Sequence, residues 1–260
     1  MFNLLRSDLY KVYKSRAFYI LTLLNIIVGM LMAMGLNAGM RAMGGPRAGV
    51  FDGMLGQING ADGLSMFIPF GFHLMFLAIF VSIYVASEFQ NGTIKNVLSR
   101  GARREKVFLS KFVVSALVGL FMFFVFVGTL LLVSGFYFGF DISSTTSLSG
   151  LLNMLIFQSL FVVAYVALFT LVSMTIRGAG GAIGTNLVSV TMMSTILSAV
   201  SYFLPWSVNL NNYWIDWGIS NLSGYRVSME AMSHGLLLGL AWVVGCVCLG
   251  VVCFRRMDVK

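Results

Sequence analysis

Six long stretches of this chain carry no Asp, Glu, Lys or Arg. A helix needs about 20 consecutive apolar residues to cross a hydrocarbon core about 30 Å thick, and each stretch supplies them. The stretches are residues 17–40, 63–87, 112–140, 142–176, 178–204 and 231–254. Only Arg177 separates the fourth stretch from the fifth, and the glycines that follow it predict a tight turn there. We therefore predict an all-α integral membrane protein with one transmembrane domain. The spans are predicted at about 17–38, 64–87, 108–138, 150–176, 182–204 and 232–254.

The overall composition agrees with lipid as the solvent. Hydrophobic residues make up 58% of the chain and charged residues only 10%, whereas a soluble domain carries about 25% charged residues. The net charge of +8 would suit nucleic acid on a soluble face. Here the basic residues lie between apolar stretches, so we predict a membrane protein that binds no nucleic acid.

The basic residues also predict the orientation. With six spans and a cytoplasmic N-terminus, 14 of the 17 Lys and Arg residues fall on the cytoplasmic side. Only Arg41, Arg47 and Arg226 remain outside. An excess of Lys and Arg marks cytoplasmic segments, so we predict a multi-pass protein of the plasma membrane with both termini in the cytoplasm.

The N-terminal segment, residues 2–16, has the pattern of an amphipathic helix. Apolar residues recur at spacings of three and four on one face, and basic residues occupy the other. The apolar residues are Phe2, Leu5, Leu9, Val12 and Tyr13. Such a helix lies in the membrane interface with its basic face toward the headgroups. A plain cytoplasmic extension of the first span is the alternative.

Two segments on the outer side are long. Residues 37–63 are rich in Gly and Met and predict a flexible loop, with a short helix near 50–58. Residues 205–230 are rich in Trp and Tyr. This composition predicts short helices that dip into the outer leaflet or cap a dimer. An ordinary aromatic belt at the ends of the fifth and sixth spans is the alternative.

Few residues suggest chemistry. The chain lacks the phosphate-binding pattern G-x-x-x-x-G-K-[ST], and no carboxylate lies in the middle of a predicted span. Cys246, Cys248 and Cys253 share the last span, but C-x-C spacing does not put two ligands on one helix face. His73 is expected to be neutral and bonded across helices. We predict no enzyme activity, no metal site and no cofactor bound by this chain.

The longest polar segment, residues 88–111, holds six basic residues. Glu88 closes the second span, Gly92 breaks the helix and Thr93 can cap a new one. Gly101 can end this new helix. Ile94, Val97 and Leu98 fall on one face of that short helix. We predict that this face points to the cytoplasm and docks a partner. A helix that rests on lipid headgroups is the alternative.

The same segment resembles the type-2 ABC exporter permeases. The order of a glutamate, Gly-Thr, Ser-Arg and a later Arg and Lys carries the resemblance, through Glu88, Gly92, Thr93, Leu98, Ser99, Arg100, Arg104 and Lys111. Gly101-Ala102 stands where the family has a proline. The six-span layout with an N-terminal amphipathic helix is similar too. Among these permeases, the chain is most similar to those of lantibiotic or bacitracin immunity exporters and of peptide-toxin exporters.

The resemblance implies a function and partners. Residues 89–100 would form the coupling helix, which docks a separate ATPase subunit. The docking residues implied are Glu88, Gly92, Thr93, Ile94, Val97, Leu98, Arg100 and Arg104. ATP and Mg²⁺ would bind to that partner, and a second permease chain, identical or paralogous, would complete the transporter in a bacterial cell membrane.

The substrate expected from this reading is amphipathic or hydrophobic, such as a bacteriocin, toxin or antibiotic, and it would leave the cell. Flexible and aromatic side chains of the second and fifth spans are candidates for its path, namely Phe70, Phe72, Phe76, Met192 and Met193. Two other functions remain open. One is a membrane anchor or sensor that recruits a cytosolic partner, and the other is a stand-alone channel.

Overall fold

The computed structural model describes residues 2–43, 62–99, 101, 103–138, 148–203, 209–225 and 227–256. All regular elements within these ranges are helical, as the sequence predicts. The predicted short helix at 50–58 lies outside the described residues, as does Trp206.

Eleven α-helices and two short 3₁₀ turns occupy the described residues. The α-helices are α1 (Phe2–Lys14), α2 (Arg16–Met43), α3 (Asp62–Phe67), α4 (Phe72–Gln90), α5 (Thr93–Ser99), α6 (Arg104–Phe138), α7 (Leu148–Ile176), α8 (Ala179–Thr191), α9 (Met193–Phe203), α10 (Ile215–Asn221) and α11 (Met229–Arg256). The 3₁₀ turns are Ile68–Phe70 and Leu210–Tyr213.

Five of these helices, α2, α4, α6, α7 and α11, are long and apolar enough to cross a membrane, and α8 with α9 gives a sixth if the bent pair counts as one span. The chain is therefore a multi-pass helical membrane protein with five or six candidate spans. At 1.5 Å per residue, the 35 residues of α6 extend about 50 Å, so this helix projects beyond a 30 Å hydrocarbon core.

The second span starts later than residue 64, where the sequence placed it. Residues 62–70 form α3 and a 3₁₀ turn, and α4 begins only at Phe72. Pro69 lies in the 3₁₀ turn and lacks the amide hydrogen that a continuous helix needs. Gly71 then adopts a left-handed φ of 65°, a conformation that favours glycine. Together these two residues separate α3 from α4.

The fifth apolar stretch is bent rather than straight, with 60° between α8 and α9. The buried residues of α8 are Ala182, Asn186 and Val190, whereas α9 buries none. Helix α8 therefore follows the bundle and α9 leaves it. The Thr191 hydroxyl donates to the Leu187 carbonyl oxygen at 2.9 Å, a contact that tends to bend helices.

Helix α7 is the centre of the bundle, because it packs against α4, α6, α8, α10 and α11. Helix α2 packs along α6 and α4. At one end of the bundle, α1 contacts α6, α5 contacts α4, and the side chain of Arg255 in the last turn of α11 contacts Glu105 near the start of α6. We call this the α5 end. Both terminal helices therefore reach the same end of the bundle.

Tight turns connect the helices where the sequence predicted them. Arg177 has a left-handed φ of 60° between α7 and α8, so the predicted turn at Arg177 and Gly178 is confirmed. The aromatic outer segment forms the 3₁₀ turn Leu210–Tyr213 and α10, which confirms the predicted short helices.

The outer segment packs inward. Trp214 is buried and its ring lies 5.0 Å from that of Trp242, centroid to centroid. Burial raises the pKa of Asp216 in α10, and a hydrogen bond with Ser194 of α9 partly opposes this rise. Trp217 and Tyr225 pack partly buried against the core, whereas Tyr213 is exposed.

Glycines let α11 lie close to its neighbours. A methyl group on Gly250 would lie 2.1 Å from the Phe108 ring, and one on Gly239 would lie 2.7 Å from Leu160. Gly235 and Gly239 are four residues apart, a spacing of small residues that is typical of close helix contacts. Both residues pack against this chain's own side chains, Leu222 and Leu160.

We predict that Gly250→Ala destabilises the fold by about 1–3 kcal/mol, the usual cost of overpacking, because Phe108 is fully buried and cannot move aside. Gly245→Ala in the same helix is the control, since nothing lies within 4 Å of its added methyl group. Alanine is about 1 kcal/mol better than glycine in a helix, so the control should be neutral or stabilising. Thermal unfolding in detergent measures both, and equal melting temperatures would contradict the packing.

Candidate functional site

The segment between α4 and α6 folds into a short helix with a glycine before and after it. Helix α5 runs from Thr93 to Ser99. Gly92 has a φ of 66° and Gly101 a φ of 81°, both left-handed and suited to glycine. The Thr93 hydroxyl donates to the Glu88 carbonyl oxygen at 3.2 Å. The predicted helix break at Gly92 and the helix end before Gly101 are both confirmed.

The apolar face of α5 points into the bundle, not to the cytoplasm. Ile94 is 1% exposed and belongs to the core, and Val97 is partly buried against that core. The prediction that this face is free for a partner is therefore wrong. A seven-residue helix has one apolar face, and burying an isoleucine there stabilises the fold by about 1.5–3 kcal/mol. The Leu98 side chain and Arg100 lie outside the described residues.

The polar face of α5 is the accessible one. Asn96 and Ser99 are exposed, and so are Arg103 and Lys106 just beyond the helix. We call these four side chains the α5 surface. It carries two positive charges and no negative charge, so it suits an acidic partner surface.

The predicted docking residue Arg104 lies beside this surface and holds the bundle together. Its Nη1 donates to the Arg255 carbonyl oxygen at 3.2 Å, at the C-terminal end of α11 where unpaired carbonyl groups favour a cation. The Arg255 guanidinium in turn pairs with Glu105. Helix α11 therefore ends against the first turn of α6.

The predicted docking residue Glu88 faces the interior, in a cluster of four charged side chains of which three are buried. Lys111 of α6 lies at its centre. Its Nζ is 2.6 Å from Glu88 Oε1 of α4 and 2.8 Å from Asp8 Oδ1 of α1. Lys11 Nζ reaches the same Glu88 oxygen at 2.9 Å. Two acids and two bases therefore join α1, α4 and α6.

Neutral groups complete the surroundings of Lys111. Its Nζ donates to the Tyr84 hydroxyl at 3.2 Å and lies 4.5 Å from the centre of that ring. The Ser110 hydroxyl donates to Asp8 Oδ2 at 2.7 Å. Lys111 is 2% exposed, Asp8 5% and Glu88 8%. Burial at this level costs several kcal/mol per ion unless each charge is paired, and here each one is paired.

Asp8 is a cluster residue that was not among the candidates predicted from the sequence. Leu5, Asp8 and Val12 follow one another at spacings of three and four, so they share one face of α1. Leu5 and Val12 pack against the core, and the carboxylate is carried inward with them. An acidic residue within an otherwise apolar helix face indicates a buried charge with a partner, and this pattern could have identified Asp8. Leu9 and Tyr13, predicted on the apolar face, are instead exposed.

Polar side chains also join the spans deeper in the bundle. Asn186 Nδ2 of α8 donates to Ser82 Oγ of α4 at 2.8 Å and to Ser173 Oγ of α7 at 3.1 Å. Hydrogen bonds of this kind commonly fix helix pairs in membranes. His73, in contrast, makes no hydrogen bond to any other residue that the structure describes, and it packs on the rings of Phe123 and Phe126. The hydrogen bonds expected for it were wrong.

The candidate path residues lie toward the end opposite α5. Phe70 and Met192 are exposed, while Phe72, Phe76 and Met193 are partly buried. The start of α4 meets the end of α8, where a methyl group on Gly71 would lie 3.5 Å from Val190. The candidates from α4 and those from α8 and α9 therefore lie in one region. A substrate path through them stays a prediction.

Among the described residues, no three His, Cys, Asp or Glu side chains are grouped so that they could hold a metal ion. The ionic groups at the α5 end are instead paired with one another, and their arrangement supports a mechanical or docking role.

Comparison with known proteins gives a family but no activity. Residues 46–260 match the model of the family described as "Protein of unknown function (DUF2705)". No curated protein matches the chain. The functional argument therefore rests on the α5 end itself.

We predict that Lys111→Met lowers the free energy of unfolding by about 3–5 kcal/mol, because it leaves a buried carboxylate without its partner. Combining it with Asp8→Asn restores equal numbers of acids and bases and should recover part of this loss. Glu105→Gln is the control, since an exposed ion pair contributes at most about 1 kcal/mol. Equilibrium unfolding in detergent micelles measures all three. Equal stability of the Lys111 and Glu105 variants would contradict the prediction, because it would mean that the cluster does not stabilise the fold.

Proposed function

The chain belongs to the DUF2705 family, and we propose that it is the membrane subunit of an ATP-driven exporter. Its cytoplasmic end would be the α5 end, where a separate ATPase subunit docks. The main support for this proposal is the way in which the helices are arranged at the α5 end. Helix α5 packs on α4 and buries Ile94 in the core. The polar α5 surface, which includes Arg103 and Lys106 just beyond the helix, is left exposed.

The distribution of charge supports the orientation. Basic residues of α1, of the segment from α5 to the start of α6, and of the last turn of α11 all belong to the α5 end. Positive residues collect on the cytoplasmic side of membrane proteins. With α8 and α9 counted as one bent span, six spans return both terminal helices to that side.

The docking contact would use the α5 surface rather than the buried Ile94. Asn96 and Ser99 would enter a groove of the partner, and Arg103 and Lys106 would face its acidic residues. This arrangement replaces the apolar docking face inferred from the sequence. Gly92, Thr93 and Arg104 would act indirectly by fixing the position of α5.

Force from the partner would pass through rigid contacts. Helix α5 follows α4 after a two-residue turn and precedes α6. The cluster of Lys111, Glu88 and Asp8 ties both helices to α1. A push on α5 would therefore move α1, α4 and α6 together, as a two-state switch between inward- and outward-facing arrangements requires.

The exporter would need a second permease chain, identical or paralogous. Its substrate would be amphipathic or hydrophobic, such as a peptide toxin, bacteriocin or antibiotic, because the spans carry apolar and aromatic side chains. ATP and Mg²⁺ would bind to the ATPase subunit. The residues Phe70, Phe72, Phe76, Met192 and Met193 remain the candidates for the substrate path.

We predict that Ser99→Trp reduces the Mg²⁺-dependent ATPase activity that purifies with this chain from its native membranes by about tenfold or more, equivalent to at least ~1.4 kcal/mol of docking energy. The indole would obstruct the docking contact without entering the core, because Ser99 is exposed. Ser220→Trp, an exposed serine of α10 at the opposite end, should leave the activity unchanged.

Two outcomes would contradict the proposal. One is a wild-type chain that carries no P-loop ATPase even after cross-linking in the native membrane. The other is a complex that hydrolyses ATP but exports no peptide or antibiotic from any tested panel, which would favour a sensor that recruits a cytosolic partner.

A further inference from the structure

A pocket beside the ionic cluster has the composition of a lipid headgroup site. It has a volume of ≈ 210 Å³ and lies between the junction of α1 with α2 and the end of α4. It is lined by Lys11, Ser15, Ala17, Phe80, Ile83, Tyr84, Ser87, Glu88, Asn91 and Thr93. Polar and apolar side chains both contribute to it.

The apolar and the polar side chains of the pocket lie at different depths along the helices. Phe80 and Ile83 lie two to three turns before the end of α4, toward the middle of the span, and Ala17 opens α2. Ser87, Asn91 and Thr93 lie at the end of α4 and the start of α5. The apolar part therefore faces the hydrocarbon side and the polar part faces the headgroup side.

Lys11 gives the pocket a cation. Its side chain is 42% exposed, and its Nζ is bonded to Glu88 Oε1 at 2.9 Å. Glu88 Oε1 also accepts a hydrogen bond from Lys111 Nζ at 2.6 Å. Glu88 therefore stays paired if the Lys11 amino group turns to an incoming anion. Lys14 and Arg16 are exposed nearby in sequence and add to the positive potential.

We propose that this pocket binds an anionic phospholipid of the leaflet at the α5 end. The phosphate would face Lys11 and the hydroxyl and amide groups of Ser15, Ser87 and Asn91. The upper part of an acyl chain would lie on Ile83 and Ala17. The volume is below the roughly 300–1,000 Å³ of a site for a drug-sized ligand, so the pocket takes the headgroup region and leaves the tails in the bilayer.

A bound lipid would hold the α1–α2 junction against the α4–α5 junction. Both junctions border the pocket, so the lipid would stabilise the same end of the bundle as the ionic cluster. The inference does not depend on the proposed exporter function, because it requires only that the chain lies in a bilayer with this pocket at headgroup level.

The test compares phosphatidylglycerol with phosphatidylcholine, titrated onto the detergent-purified full chain and followed by native mass spectrometry. Phosphatidylglycerol should bind more tightly. Lys11→Gln should weaken it about fivefold, the factor for one lysine at an anionic headgroup. Lys14→Gln removes the same charge from the same helix, but Lys14 does not line the pocket, so this variant should weaken binding clearly less than Lys11→Gln does.

A second pair of variants tests the pocket itself. Ile83→Trp fills the apolar part and should abolish tight binding, whereas Ile156→Trp, at a residue exposed elsewhere on the spans, should not. Equal effects of the Lys11 and Lys14 variants, or of the two tryptophan variants, would overturn the proposal. Glycerol phosphate alone should not compete. Competition at the lipid's own concentration would show a small-anion site instead and would also overturn it.

Discussion

The structure depends on one buried lysine that must be paired. Lys111 lies in the second turn of α6, with Asp8 of α1 and Glu88 of α4 both within 2.8 Å of its amino nitrogen. An ammonium group with 2% exposure is tolerated only if carboxylates accompany it. Because those carboxylates come from two other helices, the pairing fixes α1 and α4 against α6. The position of α5 between α4 and α6 follows from it.

A buried ion pair of this kind adds little to the net stability of the fold. Its main effect is to favour one arrangement of the paired helices over others. A buried pair replaced by apolar residues often costs nothing, whereas a broken pair is costly. At the α5 end, a shift of α1 along α6 would separate Asp8 from Lys111, so intermediate positions are disfavoured. Helix α1 is therefore expected to move with α4 and α6 as one body. This property would serve a protein that transmits force from a docked partner, and it is consistent with the function proposed above.

The sequence predicted the helical class, the apolar stretches and the turns at Gly92, Gly101 and Arg177, because length, hydrophobicity and glycine act locally. It did not predict the inward face of α5, since the pattern of Ile94 and Val97 says which face is apolar but not what covers it. It also missed Asp8, whose place in the core depends on Lys111, 103 residues away in the chain. The bend between α8 and α9 was also missed, because the apolar composition of residues 178–204 does not show that α8 is partly buried while α9 buries none of its residues.

The most direct test of the account is a photo-cross-linking amino acid placed at position 96, in native membranes. Asn96 is exposed on the polar face of α5, which is the face that the account assigns to the ATPase subunit. The account predicts one dominant adduct, with a cytoplasmic protein that contains a P-loop, and no such adduct from a probe at Ser220. Adducts of the position-96 probe only with lipid, or only with a second copy of this chain, would contradict it.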